Sequence, residues 1–160
     1  MDIKRYDVVQ LNRTKYKFFS AGGQGKIEIW VIFTFMGGDS YNLGFGVWDA
    51  NAEQMDDLIQ IRNGDMNQIL ATVAYTVFDF LQDNPKAYIF ATGSSAARTR
   101  KYQMGIGQNL EYLLNRYHIF GLKADRDLGQ NFIGEYPDWE GEWIEFQMGG
   151  RYDAFLMYLK

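Results

Sequence analysis

The sequence predicts an α+β fold: a curved, mainly antiparallel β-sheet with two principal α-helices packed on it. Three observations carry this. Residues 6–48 alternate apolar and polar side chains with period two, broken by glycine and asparagine turns, as half-buried strands do. Residues 65–82 and 96–117 instead repeat their apolar side chains every three to four positions, as helices do. Shorter strand-like pieces then follow the helices. The 160 residues, 47% hydrophobic, suit one domain with its own core, spanning 1–160.

Tyr6–Leu11 and Lys15–Ser20 read as strands around the turn Asn12-Arg13-Thr14, and Gly22-Gly23-Gln24-Gly25 marks the next turn. Lys26–Met36 and Tyr41–Trp48 form a second hairpin around Gly37-Gly38-Asp39-Ser40. On it Ile27, Ile29, Val31, Phe33 and Phe35 share one face, as do Tyr41, Leu43, Phe45 and Val47. Matching those faces sets Phe33 opposite Phe45, Val31 opposite Val47 and Trp30 opposite Trp48. Trp30 and Trp48 then stand beside Gly44 and Gly46 on the less apolar face. They are either an aromatic platform for a base or a sugar, or a pair covered by another layer of the protein.

Asp49–Asp57 is an acidic connector. Its Asp49, Asn51 and Glu53 imitate a calcium loop, but Gln54 stands where the loop needs glycine and Gln60 where it needs glutamate. Asn63-Gly64 is a turn, and Asp65 is placed to cap a helix running to about Gln82. Ile69, Leu70, Val73, Val77, Phe80 and Leu81 make its buried face, and Asn84-Pro85 stops it. Ala87–Ala91 is the next strand. The second helix is expected from Ala96 to Tyr117, with Tyr102, Ile106, Leu110, Leu113 and Tyr117 on one stripe and His118 at its C-terminus. Ile119–Ala124, Trp143–Phe146 and Tyr152–Leu159 complete the strands, and an acidic loop separates the first two of these.

The segment from Gly93 to Tyr102 holds the candidate site. Ser94 or Ser95 can cap the second helix, and Arg98, Arg100 and Lys101 crowd its first turns, where the helix dipole favours anions instead. Free N–H groups there, with these cations, would cradle a phosphate or carboxylate. Alternatively Arg98, which borders the apolar stripe, pairs with the acidic loop, while Arg100 and Lys101 face outward. The spacing is neither a P-loop nor a dinucleotide fingerprint.

Composition narrows the chemistry. With no cysteine and one histidine there is no disulfide, no thiolate or histidine-based zinc site and no cysteine nucleophile. Neither a catalytic residue nor a cofactor is indicated. Net charge is −4, so a nucleic-acid partner would have to meet a local basic patch. Residues 1–26 supply one: Lys4, Arg5, Arg13, Lys15, Lys17 and Lys26 against Asp2 and Asp7. No apolar run reaches the roughly 20 residues of a membrane span, and the cysteine-free composition fits the cytoplasm.

Asn63-Gly64-Asp65-Met66 with Ile69-Leu70-Ala71-Thr72-Val73, then Thr92 to Tyr102, then Gly149-Gly150-Arg151-Tyr152-Asp153-Ala154-Phe155-Leu156, resemble an uncharacterised family of small bacterial proteins. The resemblance implies a bacterial cytosolic protein with Gly-Ser-Ser-Ala-Ala-Arg-Thr-Arg as its signature, and implies no activity. Four antiparallel strands followed by a helix over residues 3–83 is also similar to the unit of Whirly and Pur-alpha-like single-strand nucleic-acid-binding proteins, an analogy of architecture. The leading expectation is a non-enzymatic binding module for an anionic partner, a nucleic acid or a phosphorylated ligand. A homodimer or interaction subunit using the aromatic sheet face, and an enzyme acting on a phosphate ester, are the alternatives.

Overall fold

The computed structural model describes residues 4–56, 61–92, 96–124 and 141–160, without the side chains of 96–98 and 124. Strands β1 (Val9–Asn12), β2 (Lys15–Gly22), β3 (Gly25–Phe35) and β4 (Ser40–Asp49) form an antiparallel meander. Helix α1 (Met66–Asp83) returns the chain so that β6 (Tyr88–Ala91) lies parallel to the start of β4. Parallel neighbours need such a crossover, because a tight turn reverses the chain. Helices α2 (Ala96–Gln108) and α3 (Leu110–Leu114) lead to β7 (Tyr117–Ala124), β8 (Gly141–Glu145) and β9 (Ala154–Leu159). The sheet order is β1-β2-β3-β4-β6-β9-β7-β8, with β5 (Gln54–Asp56) on the end of β4. The expected α+β class holds: a mostly antiparallel sheet carries the helices.

The core lies between that sheet and the helices. Ile29, Val31 and Phe33 of β3 and Leu43 and Phe45 of β4 meet Ile69, Leu70, Val73, Val77 and Phe80 of α1, all buried. Phe33 stacks on Phe80 with ring centroids 4.2 Å apart and planes 6° apart, and Tyr41 meets Phe80 edge-on at 5.0 Å. Burying an aromatic side chain contributes about 1.5–3 kcal/mol, and pairs of this geometry add roughly 0.5–1.5. Thr72 and Thr76 tolerate full burial because each hydroxyl donates back into the helix, to Gln68 O and Val73 O, both at 2.7 Å. Asn84 closes α1 by donating its N–H and its side-chain Nδ2 to Phe80 O, each at 2.9 Å.

Several expectations need correction. Tyr6–Leu11 is not all strand: β1 begins at Val9, and Tyr6 packs on Phe18, with its N–H donating to Thr72 Oγ1 at 2.9 Å. The acidic connector contains β5, which pairs Gln54–Asp56 with Val47–Asp49 through backbone bonds that require no apolar alternation. The second helix does not reach Tyr117. Asn109 leaves helical geometry at φ −111° and ψ 12°. Its side-chain Nδ2 donates to Gly105 O at 2.8 Å, taking the carbonyl that its own N–H would use in a helix, and that N–H goes to Ile106 O at 3.2 Å. Tyr117 therefore opens a strand, and His118 stands within β7 rather than at a helix end.

Register departs from expectation by two residues. Trp30 faces Gly46, Val31 faces Phe45 and Phe33 faces Leu43. A slip of two preserves every side chain's face, because the strand period is two, so the apolar pattern cannot distinguish the registers. The turn decides, through Met36 N–H to Ser40 O at 2.8 Å and Ser40 N–H to Gly37 O at 3.0 Å.

Candidate functional site

The helices cover one face of the sheet, and strand alternation assigns the other face its residues. On β2 these are Lys15, Lys17 and Phe19, because Tyr16, Phe18 and Ser20 turn into the core. On β3 they are Lys26, Glu28, Trp30 and Ile32, and on β4 Gly44, Gly46 and Trp48. Lys17 is paired with Trp30, and Trp30 with Gly46. Glycine beside Trp30 leaves the ring room to lean diagonally across β4 onto Trp48. The two indoles stack with centroids 3.7 Å apart and planes 7° apart. The expected pairing of Trp30 and Trp48 is thus made, by a diagonal contact rather than a direct one.

Trp30 is held at its edge as well: Nε1 donates to Glu28 Oε2 at 2.7 Å. Each indole uses one face on the other, and both are only half-buried. On the same face Phe19, opposite Glu28 and diagonal to Trp30, is 42% exposed, with Lys17 Nζ and Lys26 Nζ each 5.8 Å from its ring centroid. An exposed aromatic ring flanked by two ammonium groups offers a stacking surface with phosphate-binding charge at its border. Sequence reasoning passed over Phe19. The signal was its place in Lys17-Phe18-Phe19, where alternation sends only one of two adjacent phenylalanines inward.

The same face carries aromatic side chains beyond β4. Phe90 meets Trp143 edge-on at 5.7 Å, and Tyr158 lies 5.0 Å from both Tyr88 and His118 and 6.0 Å from Phe120. His118 is therefore an exposed member of this surface.

The cationic helix start stands elsewhere. Ser94 and Ser95 lie outside the described residues, as does the side chain of Arg98. Arg100 is exposed, and Lys101 is half-buried and engaged with a partner. Helix α2 packs on the core face, where Tyr102 meets Phe45 at 5.3 Å and 90° and donates its hydroxyl to Leu43 O at 3.3 Å. The sheet thus separates Arg100 and Lys101 from Trp30 and Trp48; the two groups do not form one site. Of the acidic loop from Asp125 to Glu142 expected as a partner for Arg98, residues 125–140 lie outside those described, and Glu142 stands in β8 opposite Lys123.

A polar cluster missed at the sequence level surrounds Asp65, which is 9% exposed. Its expected capping role is not what the structure shows, since Asp65 makes no side-chain cap bond to α1. Instead Asp65 Oδ2 accepts from the hydroxyls of Tyr6 and Ser20, each at 2.5 Å. Asn63 Nδ2 donates to Ser20 Oγ and Gly25 O, both at 2.9 Å, and Asn63 Oδ1 accepts from Gln24 N–H at 2.6 Å. Burial first, then the bond to Asp65 and its charge, hold the Tyr6 hydroxyl above the usual tyrosine pKa. Ser20 is wholly buried and has no histidine beside it, so the cluster ties the β2–β3 hairpin and the N-terminal segment to the start of α1 instead of presenting a nucleophile. Among the described residues no group of three His, Asp or Glu side chains could hold a metal ion, and no helix is long and apolar enough to cross a membrane.

A family model described as a family of unknown function (DUF6934) matches residues 2–160. No curated protein and no solved structure matches.

Proposed function

We propose that this chain, which belongs to the DUF6934 family of unknown function over residues 2–160, is a non-enzymatic module that binds single-stranded nucleic acid on the helix-free face of its sheet. The observation that carries this reading is Phe19, exposed between Lys17 and Lys26 on the same sheet face as the stacked Trp30 and Trp48. Bases stack on such rings with about 1–3 kcal/mol each, without need for a sequence code. Lys15, Lys17 and Lys26 border the rings and would take the phosphates. Three phosphate contacts on a single strand imply a slope of about −2 in log K against log salt. Net charge −4 adds no long-range attraction, so binding rests on this patch.

The test is quenching of tryptophan fluorescence by oligo-dT and oligo-rU at 50 and 200 mM salt. Binding should weaken with that slope, fall about tenfold or more in Phe19→Ala, and lose about 0.7 of slope in Lys17→Ala. Arg100→Ala, on the other side of the sheet, should bind as the parent does. Absence of quenching at 50 mM salt, or equal losses in Arg100→Ala and Lys17→Ala, overturns the reading.

A further inference from the structure

Between the helical layer and the sheet lies a cavity of about 60 Å³. Its floor includes Phe45 of β4, Ile89 of β6 and Met157 of β9; Leu70 of α1 forms a wall, and Tyr102 and Gly105 of α2 form the roof. Small residues create it: Gly105, with Ala74 and Ala91, lines space that larger side chains would fill. A water needs about 10–15 Å³ of such space and two to four polar partners. This space is several times larger, yet the Tyr102 hydroxyl is the one polar side-chain atom in its described lining, and it already donates to Leu43 O. A space of this size with so little polarity is a poor site for water and a good one for hydrocarbon.

We propose that this cavity binds a small uncharged apolar group of about three or four non-hydrogen atoms, the size of a xenon atom or a propyl group, since benzene takes an apolar cavity of about 150 Å³. Among the described residues no charged one lines it, so an ionic ligand is disfavoured. Met157 in the floor has a flexible thioether that adapts to different shapes. Its roof is α2. Gly105 and Gly107 each weaken that helix by about 1 kcal/mol relative to alanine, and its first turn holds cations with no acid, against the helix dipole. A helix so built opens locally more readily than α1 does.

The experiment is thermal unfolding of the full chain with and without saturating xenon. At about ten times the dissociation constant, a ligand specific for the folded state raises Tm by about 3–6 °C. Ala91→Leu places a larger side chain in the cavity and should reduce xenon affinity at least tenfold. Gly105→Ala serves should Ala91→Leu fail to fold: its added Cβ meets Leu70 Cδ2 at 3.4 Å, an ordinary contact, and it should weaken xenon binding several-fold. No Tm shift in the parent, or an equal shift in a folded cavity-filled variant, overturns the proposal. Neither variant touches the helix-free face, so oligonucleotide binding is unaffected by either outcome.

Discussion

Tyr117→Phe should stabilise this protein. Tyr117 is 0% exposed, at the start of β7, with its ring edge-on to Phe78 at 6.5 Å. Its hydroxyl is buried with no hydrogen-bond partner among the described residues. An orphaned buried hydroxyl costs about 1–3 kcal/mol, because it gives up water and gains nothing in exchange. Phenylalanine keeps the ring and vacates roughly 10 Å³, which at about 24 cal/mol per Å³ costs only ~0.25 kcal/mol. The balance is a gain of about 0.8–2.8 kcal/mol, equivalent to a Tm rise of about 2–11 °C for a chain of this size.

A second readout comes from pH. Burial, and then the charge of Tyr112, push the Tyr117 hydroxyl up to about 12, with Arg116 opposing. In the unfolded chain a tyrosine ionises near 10. Between these values the folded state holds the proton that the unfolded state releases, so this contribution to stability is complete below about pH 10 and is lost as pH rises towards about 12. Tyr16 and Tyr6 are shifted in the same direction, so the informative quantity is the difference between parent and variant. Urea unfolding at pH 8 and pH 11 measures it, and the variant's advantage should widen at the higher pH. Destabilisation of Tyr117→Phe by more than about 1 kcal/mol at pH 8 would show that the hydroxyl has a partner worth keeping, and would refute the reasoning.

Two further predictions concern the Asp65 cluster. At Gly22 an added Cβ would stand 1.9 Å from Asn63 O, the carbonyl that accepts the Gly23 N–H at 3.0 Å. Gly22→Ala should therefore cost about 2–4 kcal/mol by urea titration, and Gly23→Ala, whose Cβ meets nothing within 4 Å, less than about 0.5; equal costs would defeat the steric account. Tyr6→Phe should cost about 1–2 kcal/mol, and its cycle with Ser20→Ala should be non-additive, because both hydroxyls donate to Asp65 Oδ2. Additivity within about 0.3 kcal/mol would mean that the two bonds are independent.

The parts of the fold that were legible were those set by local periodicity. Ile29, Val31 and Phe33 are buried as the period-two pattern requires, and Ile69, Leu70, Val73, Val77, Phe80 and Leu81 as the helical pattern requires. The end of the second helix was not legible, because Leu113 and Tyr117 are four residues apart, a spacing that fits one helical face and also places both in the core when a strand begins between them. Asp65 looked like a cap, since aspartate before a helix usually serves as one. Its actual partners, Tyr6 and Ser20, lie 59 and 45 residues away.

Sequence alone determined the class of fold, the faces of its strands, the course of α1 and the closeness of Trp30 to Trp48, because each depends on a side chain's position within its own element or hairpin. Tertiary structure decided the register of β3 on β4, the partners of Asp65, and the separation of Arg100 and Lys101 from the tryptophans by the sheet. It also decided that Phe19 joins Trp30 at one surface. These follow from turn geometry and from which face of the sheet the helices cover, and neither is encoded in the period of any single segment.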